Sequence, residues 1–278
     1  MKELVIDADG HVLEPPDVWQ RYIDPAYRAR AIRVRRGADG RDRLEIDGRP
    51  ARLTTPEMLG GFVLPFTLSG LPHGHPAHDP LWAEAQDLDV PIAIHTGIDP
   101  PARSLHQRFT GLSWPEDVPA GIWYLELLFP QAVQQAFSTF FLYGTFDRFP
   151  RLKLVVLESG AGWLGFWVDR MDALARGALR VTLPFRELPS TYVRRQCWIS
   201  ADPDERALPP IIAYVGDDRF LWATDYPHSD HDAGYMEELR ELAAALPAAS
   251  GARLLGENAA RLYGLAASGG GRSRASDR

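Results

Sequence analysis

The sequence predicts an α/β fold with parallel strands, and three features carry that prediction. Short runs rich in β-branched and aromatic residues recur along the chain. Amphipathic stretches of helical period follow most of them, and several runs stop at an acid or a histidine. Strand–helix alternation of this kind is what parallel α/β architectures produce. At 278 residues, 45% hydrophobic and 24% charged, the chain can bury a large core, and its length suits one α/β barrel or two small domains. A single domain over residues 1–265 is the simpler reading.

The strand candidates are Leu4 to Asp9, Phe62 to Phe66, Pro91 to His95, Leu154 to Glu158, Cys197 to Ser200, and Phe220 to Thr224. Between the first two, Ala31 to Arg35 and Arg43 to Asp47 flank Gly37-Ala38-Asp39-Gly40, which reads as a peripheral hairpin inserted at about 31–47. Helices are expected over Pro80 to Leu88, parts of Ile122 to Phe146, Gly162 to Arg176, Leu208 to Val215, Tyr235 to Ala245, and Gly251 to Tyr263. Residues 266–278 offer no apolar anchor and are expected to be a disordered tail.

Composition narrows the function classes. A formal net charge of −7 opposes general nucleic-acid binding, which needs clustered positive charge; a small-molecule substrate is the expectation. Cys197 is the single cysteine, so neither an internal disulfide nor a thiolate zinc cluster can form. With Leu4-Val5-Ile6 so close to Met1 there is no room for a secretory leader, and a cytoplasmic protein is expected. The apolar stretch Ile122 to Phe146 is broken by Glu126, Pro130, Gln131, Gln134 and Gln135, which fits buried helices and no membrane span.

The chemistry-bearing residues stand at strand ends. Asp7, Asp9 and His11 are spaced by two, so an extended backbone would aim all three at one face. His95 closes the run Pro91-Ile-Ala-Ile and is followed by Thr96-Gly97. Asp225 closes Phe220-Leu-Trp-Ala-Thr and opens the loop Tyr226-Pro-His228-Ser-Asp230. Read singly, each has a plain structural use: a solvated acid, a hydrogen-bonded histidine, a helix cap. Together they could converge on one ion.

At these residues the chain resembles the amidohydrolase-related family that includes aminocarboxymuconate-semialdehyde and γ-resorcylate-type decarboxylases. Val5-Ile-Asp-Ala-Asp9-Gly-His11-Val-Leu-Glu14-Pro is similar to its opening metal motif, and Ile92-Ala-Ile-His95-Thr-Gly to its central histidine strand. The segment Thr145 to Trp163, with Leu157-Glu158-Ser-Gly-Ala-Gly, resembles a long family signature, and Trp222-Ala-Thr-Asp225-Tyr-Pro-His its final aspartate motif. The resemblance implies a metal-dependent hydrolase TIM-type (β/α) barrel holding one divalent ion, zinc or manganese, on Asp9, His11, His95 and Asp225. It also implies a catalytic role for Asp225 and makes a homodimer a fair expectation. The favoured activity is non-oxidative decarboxylation of a small carboxylated, possibly aromatic, substrate. Hydrolysis of an amide or lactone, and a non-catalytic truncated member, are the alternatives.

Two departures from the family pattern matter. Where many relatives carry a histidine on the sixth strand, this chain has Glu158, a metal ligand or catalytic base on one reading and a partner for loop amides on the other. The resemblance also runs from Pro56-Glu-Met-Leu-Gly-Gly61 straight into Phe62, two strand–helix units short, so an incomplete barrel with an open or distorted edge is expected there. Three further histidines, His73, His75 and His78, have a spacing that invites a second metal site; a solvated or substrate-facing loop is preferred. Arg103, His106 and Arg108 could bind a substrate carboxylate but read better as surface charge, and Trp114, Trp123 and Trp163 read as core or pocket wall.

Overall fold

A computed structural model describes residues 4–9, 21, 24–30, 33–36, 42–46, 49–50, 64–65, 67, 69–97, 121–177, 180, 182–225 and 234–265. The chain divides into two compact units, the larger formed by Met1–Asp9, Phe62–Thr224 and His231–Arg278, the smaller by Gly10–Gly61 and Asp225–Asp230.

The larger unit is organised by a parallel sheet. Strands β4 (Ile92–His95), β5 (Leu154–Leu157), β6 (Cys197–Ser200) and β7 (Phe220–Leu221) lie side by side in sequence order. Ile94 is level with Val156, and Ile199 with Phe220. Each strand-to-strand connection carries helix, as parallel pairing requires. Because both faces are covered, the strands read as continuous apolar runs and not as alternating ones. The alternation is in which neighbours they meet: Ile94, Leu154, Val156, Cys197 and Ile199 enter the main core, whereas Ala93, Val155, Leu157 and Trp198 pack with Ile6, Ala8, Ala259 and Leu262.

The main core is aromatic. Helix α1 (Asp79–Asp87) sends Trp82 inward. Helix α2 (Gly121–Leu142) contributes Val133, Ala136, Phe137, Phe140 and Phe141, all fully or nearly buried, on the i, i+3, i+4, i+7 rhythm of a core-facing stripe. Phe140 meets Trp82 at 5.1 Å and Phe146 at 5.7 Å between ring centroids. Removing one such ring typically costs about 3–5 kcal/mol. The helix passes through Pro130, which the sequence marks as an interruption; packing of its C-terminal half outweighs the lost bond. Helices α3 (Thr145–Arg148), α4 (Gly162–Arg176), α5 (Pro189–Gln196), α6 (Leu208–Val215), α7 (Tyr235–Ala245), α8 (Ala248–Ala252) and α9 (Asn258–Leu262) complete the unit, with a π-helical turn at Arg253–Glu257 joining the last two. Among the described residues no helix is long and apolar enough to cross a membrane. Cys197 is buried, and burial pushes its thiol well up, so it stays neutral.

Several expectations need correction, and one helix was not foreseen. Leu4 to Asp9 does not form a strand: Ala8 N–H donates to Trp222 C=O at 3.0 Å and Ile6 N–H to Leu255 C=O at 2.9 Å, and two bonds to two different segments do not make a ladder. Helix α5 was masked in the sequence by Pro189 and two arginines; Pro stands at its first position, where no N–H is missed. Trp123 is 64% exposed and is not a core residue. Of Phe62 to Phe66, residues 64 and 65 are not strand and the remainder lies outside the described residues, as does the junction at residue 61 where two units were expected to be missing.

In the smaller unit, β1 (Arg33–Arg36), β2 (Asp42–Ile46) and β3 (Arg49–Pro50) form an antiparallel sheet. Arg35 and Glu45 make an ion pair across the first two strands at 2.7 Å.

Candidate metal centre

Asp9, His95 and Asp225 are brought together from positions far apart in the chain. Each offers a ligand atom within 4.8 Å of the others, and all three residues are buried. His95 ends β4, whose Ile94 is fully buried and fixes the strand in the core. Asp9 follows the Ala8–Trp222 bond, and Asp225 follows Thr224 directly. Glu158 comes next after β5, and its carboxylate Oε2 stands 3.1 Å from His95 Nδ1. Glu158 and Asp225 both have left-handed backbones, with φ of 46° and 53°, a conformation that costs energy in residues other than glycine and clusters at functional sites. His11, Arg103, His106 and Arg108 lie outside the described residues.

The imidazole of His95 has a defined polarity. Nδ1 is 2.8 Å from the Thr96 carbonyl oxygen. A carbonyl can only accept, so Nδ1 carries the proton and Nε2 of the neutral ring carries the lone pair. That lone pair is directed at Asp9 Oδ2, 3.2 Å away, a distance in the ion-pair range but without hydrogen-bond geometry. Both Asp9 carboxylate oxygens are buried and without a hydrogen-bond partner among the described residues. Burying a carboxylate without a hydrogen-bond partner costs several kcal/mol. A cation shared between Asp9 and the neutral imidazole of His95 would remove that penalty. The donor set of imidazole and carboxylates, with no thiolate, fits zinc or manganese.

Asp7, and three residues that sequence reasoning passed over, surround this centre. Asp7 was expected to share a face with Asp9. Instead it is exposed, and its carboxylate accepts from Asp9 N–H at 3.1 Å, Thr224 N–H at 3.2 Å and Thr224 Oγ1 at 2.5 Å. Ser200 Oγ, at the end of β6, accepts from Glu158 N–H at 3.2 Å. Tyr263, 38% exposed, has its phenol pushed up to about 12, by burial first and the Asp9 charge second. Glu205 bonds to the turn after Glu158. No local pattern distinguishes these four from ordinary surface polars; their partners are tens to hundreds of residues away, except for the local Asp7–Asp9 bond. Trp163 stacks edge-on to Phe137 at 5.9 Å and donates to Ser159 C=O at 3.2 Å, so it does line the core beside the Glu158 turn.

Among the described residues the histidines of the 71–79 loop join no second group suited to an ion. His73 is buried, with Nε2 2.6 Å from Leu64 C=O, and His78 faces Pro72 C=O through Nδ1 and Ser69 Oγ through Nε2. His75 Nδ1 accepts from Ala77 N–H. The loop is therefore not simply solvated: it folds back on its own backbone. Among the described residues the group of Asp9, His95 and Asp225 is the one whose geometry suits an ion.

Residues 51–265 match the amidohydrolase family. A decarboxylase named OrsB, from Emericella nidulans, is 29% identical over 178 residues, covering 59% of this chain and 49% of its own length. The chain spans about half the length of the curated relatives it matches. Among solved structures, an amidohydrolase of Mycobacterium avium subsp. paratuberculosis K-10 superimposes with a TM-score of 0.76 at 17% identity, over 97% of this chain and 100% of that one. A dihydroxybenzoic acid decarboxylase from Polaromonas sp. JS666, solved with manganese and 2-nitroresorcinol, superimposes at a TM-score of 0.55 and 21% identity, over 72% of this chain and 57% of that one.

Proposed function

The chain belongs to the amidohydrolase family, with that family's α/β TIM-type fold, and on that premise we propose that it is a divalent-metal-dependent carboxy-lyase acting on a small aromatic acid. The observation that carries the reading is the buried Asp9 carboxylate, without a hydrogen-bond partner among the described residues and faced by Nε2 of His95 at 3.2 Å. Asp9, His95 and Asp225 hold the ion, with His11 as the fourth ligand that the family motif implies. Manganese is favoured over zinc by the ion in the dihydroxybenzoic acid decarboxylase. Decarboxylation is favoured over hydrolysis by the names of the curated relatives.

When bound, the ion supplies Lewis-acid stabilisation of negative charge on the substrate's oxygens. The chain's residues do the rest. The Thr96 carbonyl keeps the Nδ1 proton of His95 in place, so the ring cannot rotate without losing that bond. Asp225 delivers a proton to the ring carbon as the carbon–carboxylate bond breaks, the electron pair staying on the ring and carbon dioxide leaving. Glu158, whose carboxylate stands 3.1 Å from His95 Nδ1, orients the imidazole, and solvent returns the proton that Asp225 gave up.

The test is to assay the full chain, reconstituted with Mn2+ or Zn2+, on 2,6-dihydroxybenzoate, other hydroxybenzoates, and amide and lactone substrates. Metal-dependent release of carbon dioxide is expected. Amide or lactone cleavage without decarboxylation would replace the lyase by a hydrolase, and equal, negligible metal in wild type and Asp9→Ala would remove the centre altogether.

A further inference from the structure

Glu205 lies between β6 and α6, yet its carboxylate is seated in the turn that follows β5. Oε2 accepts from Ala161 N–H and Oε1 from Gly162 N–H, each at 2.7 Å. These are the leading amides of the 15-residue helix α4, which have no partner within the helix and face the positive end of its dipole. The turn is shaped around the carboxylate. A Cβ at Gly160 would lie 2.9 Å from Glu205 Oε1, and one at Gly162 would lie 2.7 Å from it.

The turn begins at Glu158. Its φ of 46°, and that of Gly160 at 60°, are the left-handed steps by which the chain leaves the strand. Glu158 is thus held by the end of β6 and by the chain that follows it: Ser200 Oγ accepts its N–H, and Glu205 accepts the amides three and four residues on. Left-handed backbone at a glutamate persists only where its surroundings over-determine it.

We propose that Glu205 is a positioning residue of the metal centre: its carboxylate fixes the 158–162 turn so that Glu158 Oε2 meets His95 Nδ1, and so sets the imidazole whose Nε2 faces Asp9. This role rests on the metal-centre reading above. A helix cap without that role would affect stability and leave His95 unchanged, and this difference is measurable.

The experiment uses the full chain labelled with 15N-histidine, first metal-free and then titrated with Mn2+. E205Q removes the charge. G162A leaves Glu205 in place and displaces its carboxylate with a methyl group, at a helical position where alanine is otherwise well tolerated. The His95 ring signals are identified by their loss in H95N. In E205Q and G162A they are expected to move in the same direction as in E158Q, with Mn2+ binding weakened about tenfold, the lower end of outer-shell effects. Neither substitution should add a further shift in the E158Q background, since all three act on one contact. Unmoved His95 signals in either folded variant, or shifts that add in full to that of E158Q, would overturn the proposal; if E205Q does not fold, G162A decides. Wild type that binds no Mn2+ while the variants still move His95 would sink the metal reading and leave the Glu205–Glu158–His95 linkage standing.

Discussion

The chain places histidine in two opposite settings, and the contrast between His95 and the His73–His78 loop shows what marks a candidate ligand. In the loop, every ring nitrogen with an identified partner is directed at the loop's own neighbourhood: Leu64, Pro72, Ser69 and Ala77. His73 stacks over Phe140 at 6.4 Å and its carbonyl takes the Trp82 indole N–H, so it serves as a polar stitch in an aromatic wall. At His95 one nitrogen is tied to a carbonyl and the other is turned on a buried carboxylate. The residue type is the same. What differs is whether the nitrogen meets a group that satisfies it or one that needs a cation.

The largest effect expected from this contrast is on metal content. Asp9→Ala should weaken Mn2+ binding by more than about 100-fold, beyond what outer-shell changes reach, whereas His73→Ala should leave the bound stoichiometry at wild type. Inductively coupled plasma analysis after reconstitution reads both, and equal metal loss in the two variants would erase the distinction.

Next in size is turnover. Asp225→Asn should lower kcat on the working substrate by about 100-fold, as removal of a placed proton donor does, measured alongside metal content. Wild-type kcat with metal retained would exclude Asp225 from proton transfer; loss of both would leave it as ligand only.

For stability the ranking reverses. His73→Ala removes a buried ring packed on Trp82 and Phe140 and leaves the Leu64 carbonyl without its donor, a loss of about 2 kcal/mol by urea unfolding of the metal-free chain. His75→Ala, which gives up the cap on Ala77 N–H, should cost about 1 kcal/mol or less.

The smallest effect is a slope in pH. Burial holds His73 below its ordinary 6.5, the Leu64 bond pulls it back and nearby His78 lowers it again. The unfolded chain therefore takes up the proton more readily than the folded one below about 6.5. This contribution to stability is fully present above that pH and is lost as pH falls through the depressed folded value. Comparing wild type with His73→Gln across pH 5 to 7.5 isolates it; identical slopes would show that His73 does not titrate there.

Much of the larger unit was legible because its periodicities are strong. Gly162–Arg176, Leu208–Val215, Tyr235–Ala245 and Cys197–Ser200 have the bounds their apolar spacing predicts. His95 and Asp225, which meet Asp9 in one buried group, were legible as candidates because an apolar run that ends on a polar residue signals a site. Leu4 to Asp9 read as a strand from composition, yet its pairing depends on segments more than two hundred residues downstream, which local pattern does not encode. The His73–His78 spacing misleads for the same reason: the carbonyls that satisfy those rings are contributed by the folded turn and leave no mark in the side-chain sequence. Glu158 remained open between two uses because its partner was His95, distant along the chain.

The π-helical turn at Arg253–Glu257 gives the carbonyl of Leu255 two donors, Ile6 N–H at 2.9 Å and the Trp222 indole N–H at 2.8 Å, while Asp7 grips Thr224 from 217 positions away. Synthesis runs in the opposite sense to this dependence. Asp7 and Thr224 are 217 positions apart, so the segment that carries Asp9 is made long before the groups that pin it. At roughly 5–20 residues per second, the segment waits on the order of ten seconds or more before its anchors exist. A nascent chain stalled before Leu255 would lack the carbonyl that takes the Ile6 N–H and would carry His95 without a fully anchored Asp9 segment.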